Sequence, residues 1–117
     1  MSAARAAVVE HLAAFNAHDS HRLRDGLAPD AVWITGEDTS VGREALAEVF
    51  DDWLWSLDPR LDVVRMVADH DGVGAELTET LTHDGTRRHF VIAAFFSVTD
   101  GLITRAKIYR EGSAELG

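Results

Sequence analysis

Val8, Leu12 and Phe15 recur at helical spacing and predict an amphipathic helix over residues 3–17. Asn16, His18 and Asp19 end it, and Asp19 or Ser20 is placed to cap a short second helix through Leu23 and Leu27. Pro29 stops that helix. Residues 31–35, AVWIT, are β-branched and aromatic and read as a strand. Residues 36–42, GEDTSVG, are polar and rich in turn formers and read as a loop. The strongest periodic signal follows. Leu46, Val49, Phe50, Trp53, Leu54 and Leu57 form one stripe of a helix that Pro59 closes, with Glu44, Glu48, Asp51 and Asp52 mostly off it. Trp55 lies off the stripe and is left for a dimer contact or a lid.

Beyond Pro59 the period changes to two. Residues 61–68, 73–82, 87–98 and 102–110 read as strands, separated by Asp71-Gly72, Asp84-Gly85 and Asp100-Gly101. Helices segregated from a meander of strands indicate an α+β fold. Alternation splits each strand into two faces. Leu77, Glu79 and Leu81 share one face of 73–82, opposite Glu76, Thr78, Thr80 and Thr82. In 87–98, Phe90, Ile92, Ala94 and Phe96 share one face and Val91, Ala93 and Phe95 the other. A strand apolar on both faces is normally covered on both. Three helices cover only one, so the other predicts a symmetric homodimer through the outer sheet face.

At 117 residues the chain is expected to be a single domain, 1–117, and its 46% hydrophobic and 26% charged residues are ordinary for a globular fold. The absence of cysteine removes thiol nucleophiles, disulfides and cysteine–zinc sites together. A formal charge of −9 argues against nucleic acid, whose phosphates need a basic face. No signal peptide is recognisable before Glu10, and no apolar run approaches the roughly 20 residues that cross a bilayer. No membrane partner is therefore expected, and the cytoplasm is the location by elimination.

Four segments carry a resemblance over nearly the whole chain: VVEHLAAFNAHD at 8–19, LAPDAVW at 27–33, GREAL at 42–46 and DGLITRAKIYR at 100–110. In this order and spacing the chain resembles the NTF2-like superfamily, within its bacterial SnoaL-like and ketosteroid-isomerase-like branch. The resemblance implies a cone of three N-terminal helices packed on a curved antiparallel sheet, enclosing an apolar pocket, with dimerisation through the outer sheet face. It further implies that His11, Phe15, Trp33, Thr35, Phe50, Trp53, Leu77, Glu79, Leu81, Phe90, Ile92, Ala94, Phe96, Ala106, Ile108 and Arg110 line that pocket. The general-base aspartate of ketosteroid isomerases falls on Thr35, and their oxyanion-hole tyrosine and aspartic acid fall on His11 and Ala94. Steroid isomerisation by that route is therefore not expected. The dehydratase pattern is also unmatched, since His83 and His89 flank a hairpin.

Glu79 stands out because a carboxylate between Leu77 and Leu81 on the core face is costly unless paired. It is either a general acid or base, or a salt-bridge partner of Arg110 or Arg88. His11 is either its proton-transfer partner or a hydrogen-bonded structural histidine. Arg110 is placed to orient a carboxylate or enolate, or else is solvated at a strand end. Trp33 and Trp53 supply flat walls or plain core. Metal binding has little support: His18 and His21 sit near Asp19 at a helix junction, and Asp69, His70 and Asp71 lie in a turn. The expectation is a cofactor-free acid–base enzyme of isomerase, dehydratase, cyclase or epoxide-hydrolase type. Its small-molecule ligand would be apolar and cyclic or carbonyl-bearing. The alternative is a non-catalytic ligand-binding or dimerisation module of the same fold.

Overall fold

A computed structural model describes residues 2–111, in which three helices lie against one six-stranded sheet. Helix α1, Ala3–Asn16, starts where the Ser2 hydroxyl accepts from the Arg5 N–H (3.1 Å), satisfying a first-turn donor. Ala4, Val8, His11, Leu12 and Phe15 fall on its buried face, which crosses the sheet over its four C-terminal strands. The chain turns at His18, φ 53°, and Asp19 then caps α2, Ser20–Asp25, by accepting from the Arg22 N–H (3.0 Å).

Helix α2 stops at Asp25, so Pro29 does not end it. Pro29 lies inside strand β1, Leu27–Thr35, within the irregular register between Leu27 and Val32. A residue without an N–H costs no ladder bond in such a stretch. The loop expected at 36–42 is also a strand in part: β2, Asp38–Val41, pairs antiparallel with β1 across a two-residue turn. Gly36 takes the first turn position at φ 59°, where a II′ hairpin requires glycine. As the sheet edge, β2 is largely exposed and needs no apolar alternation.

Helix α3, Arg43–Asp52, is inserted between β2 and the meander, so only two helices are N-terminal to the sheet. It is also shorter than its stripe. The helix breaks at Trp53 (φ −133°, ψ −52°), continues as a 3-10 turn over Leu54–Leu57, and ends at left-handed Asp58. The i, i+3 spacing is common to both helix types, so the pattern cannot mark the change. The break turns Trp53 outward, 56% exposed. Trp55, expected at a dimer contact or lid, instead points inward. It stacks on Phe50 (5.6 Å), meets Phe15 edge-on (5.3 Å) and donates its indole N–H to Ser20 Oγ (2.6 Å).

The meander comprises β3, Arg60–Ala68, β4, Gly72–His83, β5, Thr86–Thr99, and β6, Leu102–Arg110. Both residues of the Asp84-Gly85 and Asp100-Gly101 turns have positive φ, as I′ hairpins demand. The strand order is β2-β1-β6-β5-β4-β3. Every pairing is antiparallel except β1 with β6, which corrects the expectation of a wholly antiparallel sheet. A parallel neighbour requires a long crossover, and here the rest of the fold supplies it. Extra residues in β1, β3 and β6 mark the bulges that bend such a sheet.

Asn16 fastens the end of α1 to the start of edge strand β3. Its Nδ2 donates to the Leu61 carbonyl (2.9 Å), and the Leu61 N–H donates to its Oδ1 (2.7 Å). The buried core lies between the helices and the inner sheet face. On the outer face Val67, Val91, Phe95 and Tyr109 remain exposed.

Candidate functional site

The inner face of the sheet, α1, α3 and the 3-10 turn surround a cavity of about 520 Å³, within the ordinary range of small-molecule sites, roughly 300–1,000 Å³. Its floor follows from strand alternation: Leu77, Glu79 and Leu81 come from β4, Phe90, Ile92, Ala94 and Phe96 from β5, and Ile108 and Arg110 from β6. His11 and Phe15 enter from α1, Trp33 and Thr35 from β1, and Phe50 and Trp53 from α3 and its C-terminal junction. Ala106 does not reach the cavity. It is fully buried in register with Trp33 on one side and Phe96 on the other, and those rings line the space in its stead.

The cavity also includes Asp38, Thr39 and Ser40 of β2, and Leu46, Val49, Leu54, Leu57 and Leu61. The β2 residues escaped sequence reasoning because a polar edge strand has no hydrophobic period. The Thr35-Gly36-Glu37-Asp38 hairpin was the available signal. The aliphatic residues were visible as apolar positions but not as wall, since helix periodicity does not distinguish core from cavity lining.

Glu79 is buried at the wall, and Arg110 donates from Nη2 to its Oε1 at 2.5 Å. Of the two arginines considered as its partner, Arg110 is the one that pairs. Strand β5 separates their strands, so Arg110 reaches over the Phe90 ring, its guanidinium carbon 5.5 Å from the centroid. The pair occupies one carboxylate oxygen, and the buried Nε of Arg110 has no hydrogen-bond partner among the described residues. The site thus holds a compensated charge pair with unused hydrogen-bonding capacity.

His11 is 4% exposed and rests against Trp33 (centroids 5.2 Å) and Phe96 (5.7 Å). Burial without a compensating charge lowers its pKa to about 4, so the imidazole is neutral near pH 7. Its Nδ1 has no hydrogen-bond partner among the described residues. His11 is therefore neither the hydrogen-bonded structural histidine nor a hydrogen-bonded partner of Glu79. The two belong to different ends of the cavity. His11 packs on Phe96, whereas Glu79 is in register with Phe90, six positions earlier on β5.

Among the described residues no group of three or more His, Asp or Glu side chains is arranged to hold a metal ion. His18 instead hydrogen-bonds the Pro59 carbonyl (2.8 Å), and Asp69 Oδ1 accepts from the Asp71 and Gly72 N–H groups. No helix of the described residues is long and apolar enough to cross a membrane.

A family model described as a SnoaL-like domain matches residues 8–106. The chain belongs to the SnoaL-like domain family. Solved structures agree. An LEH-like epoxide hydrolase from Mycobacterium tuberculosis is 26% identical, with TM-score 0.85 over 93% of this chain and 82% of that one. A candidate polyketide cyclase from Xanthomonas campestris is 26% identical, with TM-score 0.83 over 92% and 89%. A candidate ketosteroid isomerase from Kribbella flavida is 21% identical, with TM-score 0.83 over 98% and 82%, and shows the shared fold alone. No curated protein matches the chain. The SnoaL-like architecture is thus an α+β NTF2-like fold with a curved six-stranded sheet. Within it, relatives carry different chemistry, so activity must be argued from the cavity.

Proposed function

We propose that this SnoaL-like chain, acting as one domain, binds an apolar, ring-containing small molecule in its cavity and performs cofactor-free acid–base chemistry on it. The observation that carries the reading is a buried carboxylate, Glu79, committed to Arg110 through one oxygen among the apolar side chains of the sheet floor. The free oxygen of a carboxylate in such a place can accept a proton from a carbon beside a carbonyl, or from water opening an epoxide. The guanidinium N–H groups can hydrogen-bond the oxygen on which charge develops, and do so best where water is excluded. Return of the proton from Glu79 to a second carbon completes an isomerisation with no other reactant. Neutral His11 and Thr35 would orient the substrate. Isomerase, dehydratase, cyclase and epoxide-hydrolase types all fall within this chemistry, and the names of the two 26%-identical structures lie in the same range.

A homodimer through the outer sheet face belongs to the same proposal, because Val67, Val91, Phe95 and Tyr109 leave an apolar patch there.

The non-catalytic alternative has one observation in its favour: Arg110 already holds Glu79, and His11 is not hydrogen-bonded to it. The deciding experiment measures calorimetric binding of neutral cyclic ketones and epoxides. Proton NMR in D2O then follows exchange beside the carbonyl, and epoxide opening. Exchange or opening that disappears in Glu79→Gln while binding persists supports the enzyme. Binding without either reaction supports the module, and no binding removes both.

A further inference from the structure

Five buried side-chain nitrogens have no hydrogen-bond partner among the described residues, and three of them, on His83, Arg88 and Arg110, gather at one end of the sheet. Alternation puts all three residues on the inward face: His83 follows Leu81 by two positions, Arg88 precedes Phe90 by two, and Arg110 follows Ile108 by two. Arg88 is in register with Leu81, and Leu81, Phe90 and Arg110 line the cavity. Arg88 and His83 therefore stand just beyond its floor, at the β4–β5 hairpin. The other polar lining residues, Thr35, Asp38, Thr39 and Ser40, belong to the β1–β2 hairpin, on the far side of β6 from Arg88.

Resting on the proposed ligand-binding role, we infer that this rim is an oxyanion site, with Arg88 as its specificity-determining residue. The ring compound in the cavity then carries a carboxylate, or a group of like charge and shape, held by Arg88 and the free edge of Arg110. The charges point that way. Glu79 pairs with Arg110 and not with Arg88, although Arg88 lies on the same face of the adjacent strand. Arg88 has no carboxylate partner among the described residues, whereas Arg87 beside it pairs with Asp58 at 3.5 Å. Two guanidiniums thus share one carboxylate, which leaves a positive charge at the rim. The turn residue Asp84 is 87% exposed and stops 3.6 Å from His83 Nδ1. Arginine has five N–H groups and no acceptor, so the unused capacity of Arg88 and Arg110 consists of donors only. A buried donor left without a partner is costly, and an anion that accepts from it recovers that cost through a charge-assisted bond. A neutral oxygen recovers less, and a cation is repelled. The formal charge of −9 opposes anions at a distance, so selection comes from contact at the rim and not from long-range steering.

Calorimetric titration of three probes tests the inference: biphenyl-4-carboxylate, its uncharged methyl ester, and inorganic phosphate. The carboxylate is expected to bind about tenfold more tightly than the ester, as one charge-assisted hydrogen bond allows. Arg88→Met keeps the apolar stem and should abolish that preference while the ester binds as before. Should Arg88→Met fail to fold, Arg88→Lys, which keeps the charge but loses the Nε donor, should cut the preference about threefold. Equal affinities of carboxylate and ester in the parent protein, or a preference unmoved by substitution of Arg88, would overturn the oxyanion site while leaving the ligand-binding role intact. Phosphate binding that depends on Arg88, with neither biphenyl bound, would keep the site for a free ion and overturn the ring-borne group. Failure of all three probes overturns the site, and failure of the ketones and epoxides above as well removes the ligand-binding role with it.

Discussion

Arg110 crosses the face of Phe90 to close on Glu79, joining β6 to β4 over the strand that separates them. Both side chains are largely buried, Glu79 at 7% and Arg110 at 20% side-chain exposure. Removing one partner leaves the other's charge uncompensated. Glu79→Ala and Arg110→Ala are each expected to lose about 3–5 kcal/mol of unfolding free energy by urea denaturation. The double variant Glu79→Leu/Arg110→Met should return to within about 1 kcal/mol of the parent, because apolar groups of similar volume commonly replace a buried pair without loss. Persistent loss in the double variant would show that the pair does more for the fold than balance charge.

His11 gives the fold a pH dependence of predictable sign. Its folded pKa is about 4 against 6.5 in the unfolded chain, so the unfolded state takes up the proton first. The contribution of neutral His11 is complete above about 6.5, declines as pH falls from there, and is exhausted below about 4. Its full size is about 3 kcal/mol. His11→Phe should flatten the stability profile across this window relative to the parent, as urea unfolding at stepped pH will show. Parallel profiles would mean that the imidazole does not stay neutral in the folded protein.

The double hydrogen bond between Asn16 and Leu61 predicts a local effect. Asn16→Ala leaves the Leu61 N–H and carbonyl without these partners and should cost about 2 kcal/mol. Hydrogen exchange at the Leu61 amide should accelerate more than exchange in β5. Uniform acceleration across the sheet would mean that α1 does not hold the β3 edge at this point.

The outer face supplies a fourth test. Phe95 is 53% exposed, lies over Gly74, and meets Tyr109 edge-on at 6.0 Å. Phe95→Glu places a charge in the middle of the apolar patch and should convert the proposed homodimer to monomer by light scattering, with the cavity and its ligand affinity unchanged. A parent protein that is already monomeric at micromolar concentration removes the dimer.

What the sequence showed of this site came from strand alternation. The positions of Leu77, Glu79 and Leu81, and of Phe90, Ile92, Ala94 and Phe96, follow from a period of two once the Asp-Gly turns fix the register. All of them line the cavity. Legibility failed where periodicity carries no information. The polar edge strand β2 resembles a loop, and the apolar stripe from Leu46 to Leu57 spans a helix and a 3-10 turn without a change of spacing. Trp53 lines the cavity as expected although it is half-exposed at the break, whereas Trp55, expected at a dimer contact or lid, packs inward on Phe50 and Phe15. The Ser20 hydroxyl that accepts from Trp55 lies on a different helix. Distances across the cavity were also out of reach. Glu79 and His11 line one cavity, but only the register and packing show that they sit beside Phe90 and Phe96, six positions apart on β5.

The parallel seam between β1 and β6 has a consequence for how the protein is made. Leu27 finds its neighbour Ile103 only after the last strand exists. On a ribosome, where the chain emerges from its N-terminus, the first strand must wait for nearly the whole translation before that flank of the sheet can zip. The backbone hydrogen bonds of α1 and α2 are local and can form early, while burial of the apolar face of α1 and enclosure of the cavity are deferred to the end. A polypeptide stalled before Leu102 would display Trp33, Phe90 and Phe96 to its surroundings, a condition in which a holding chaperone has every reason to bind.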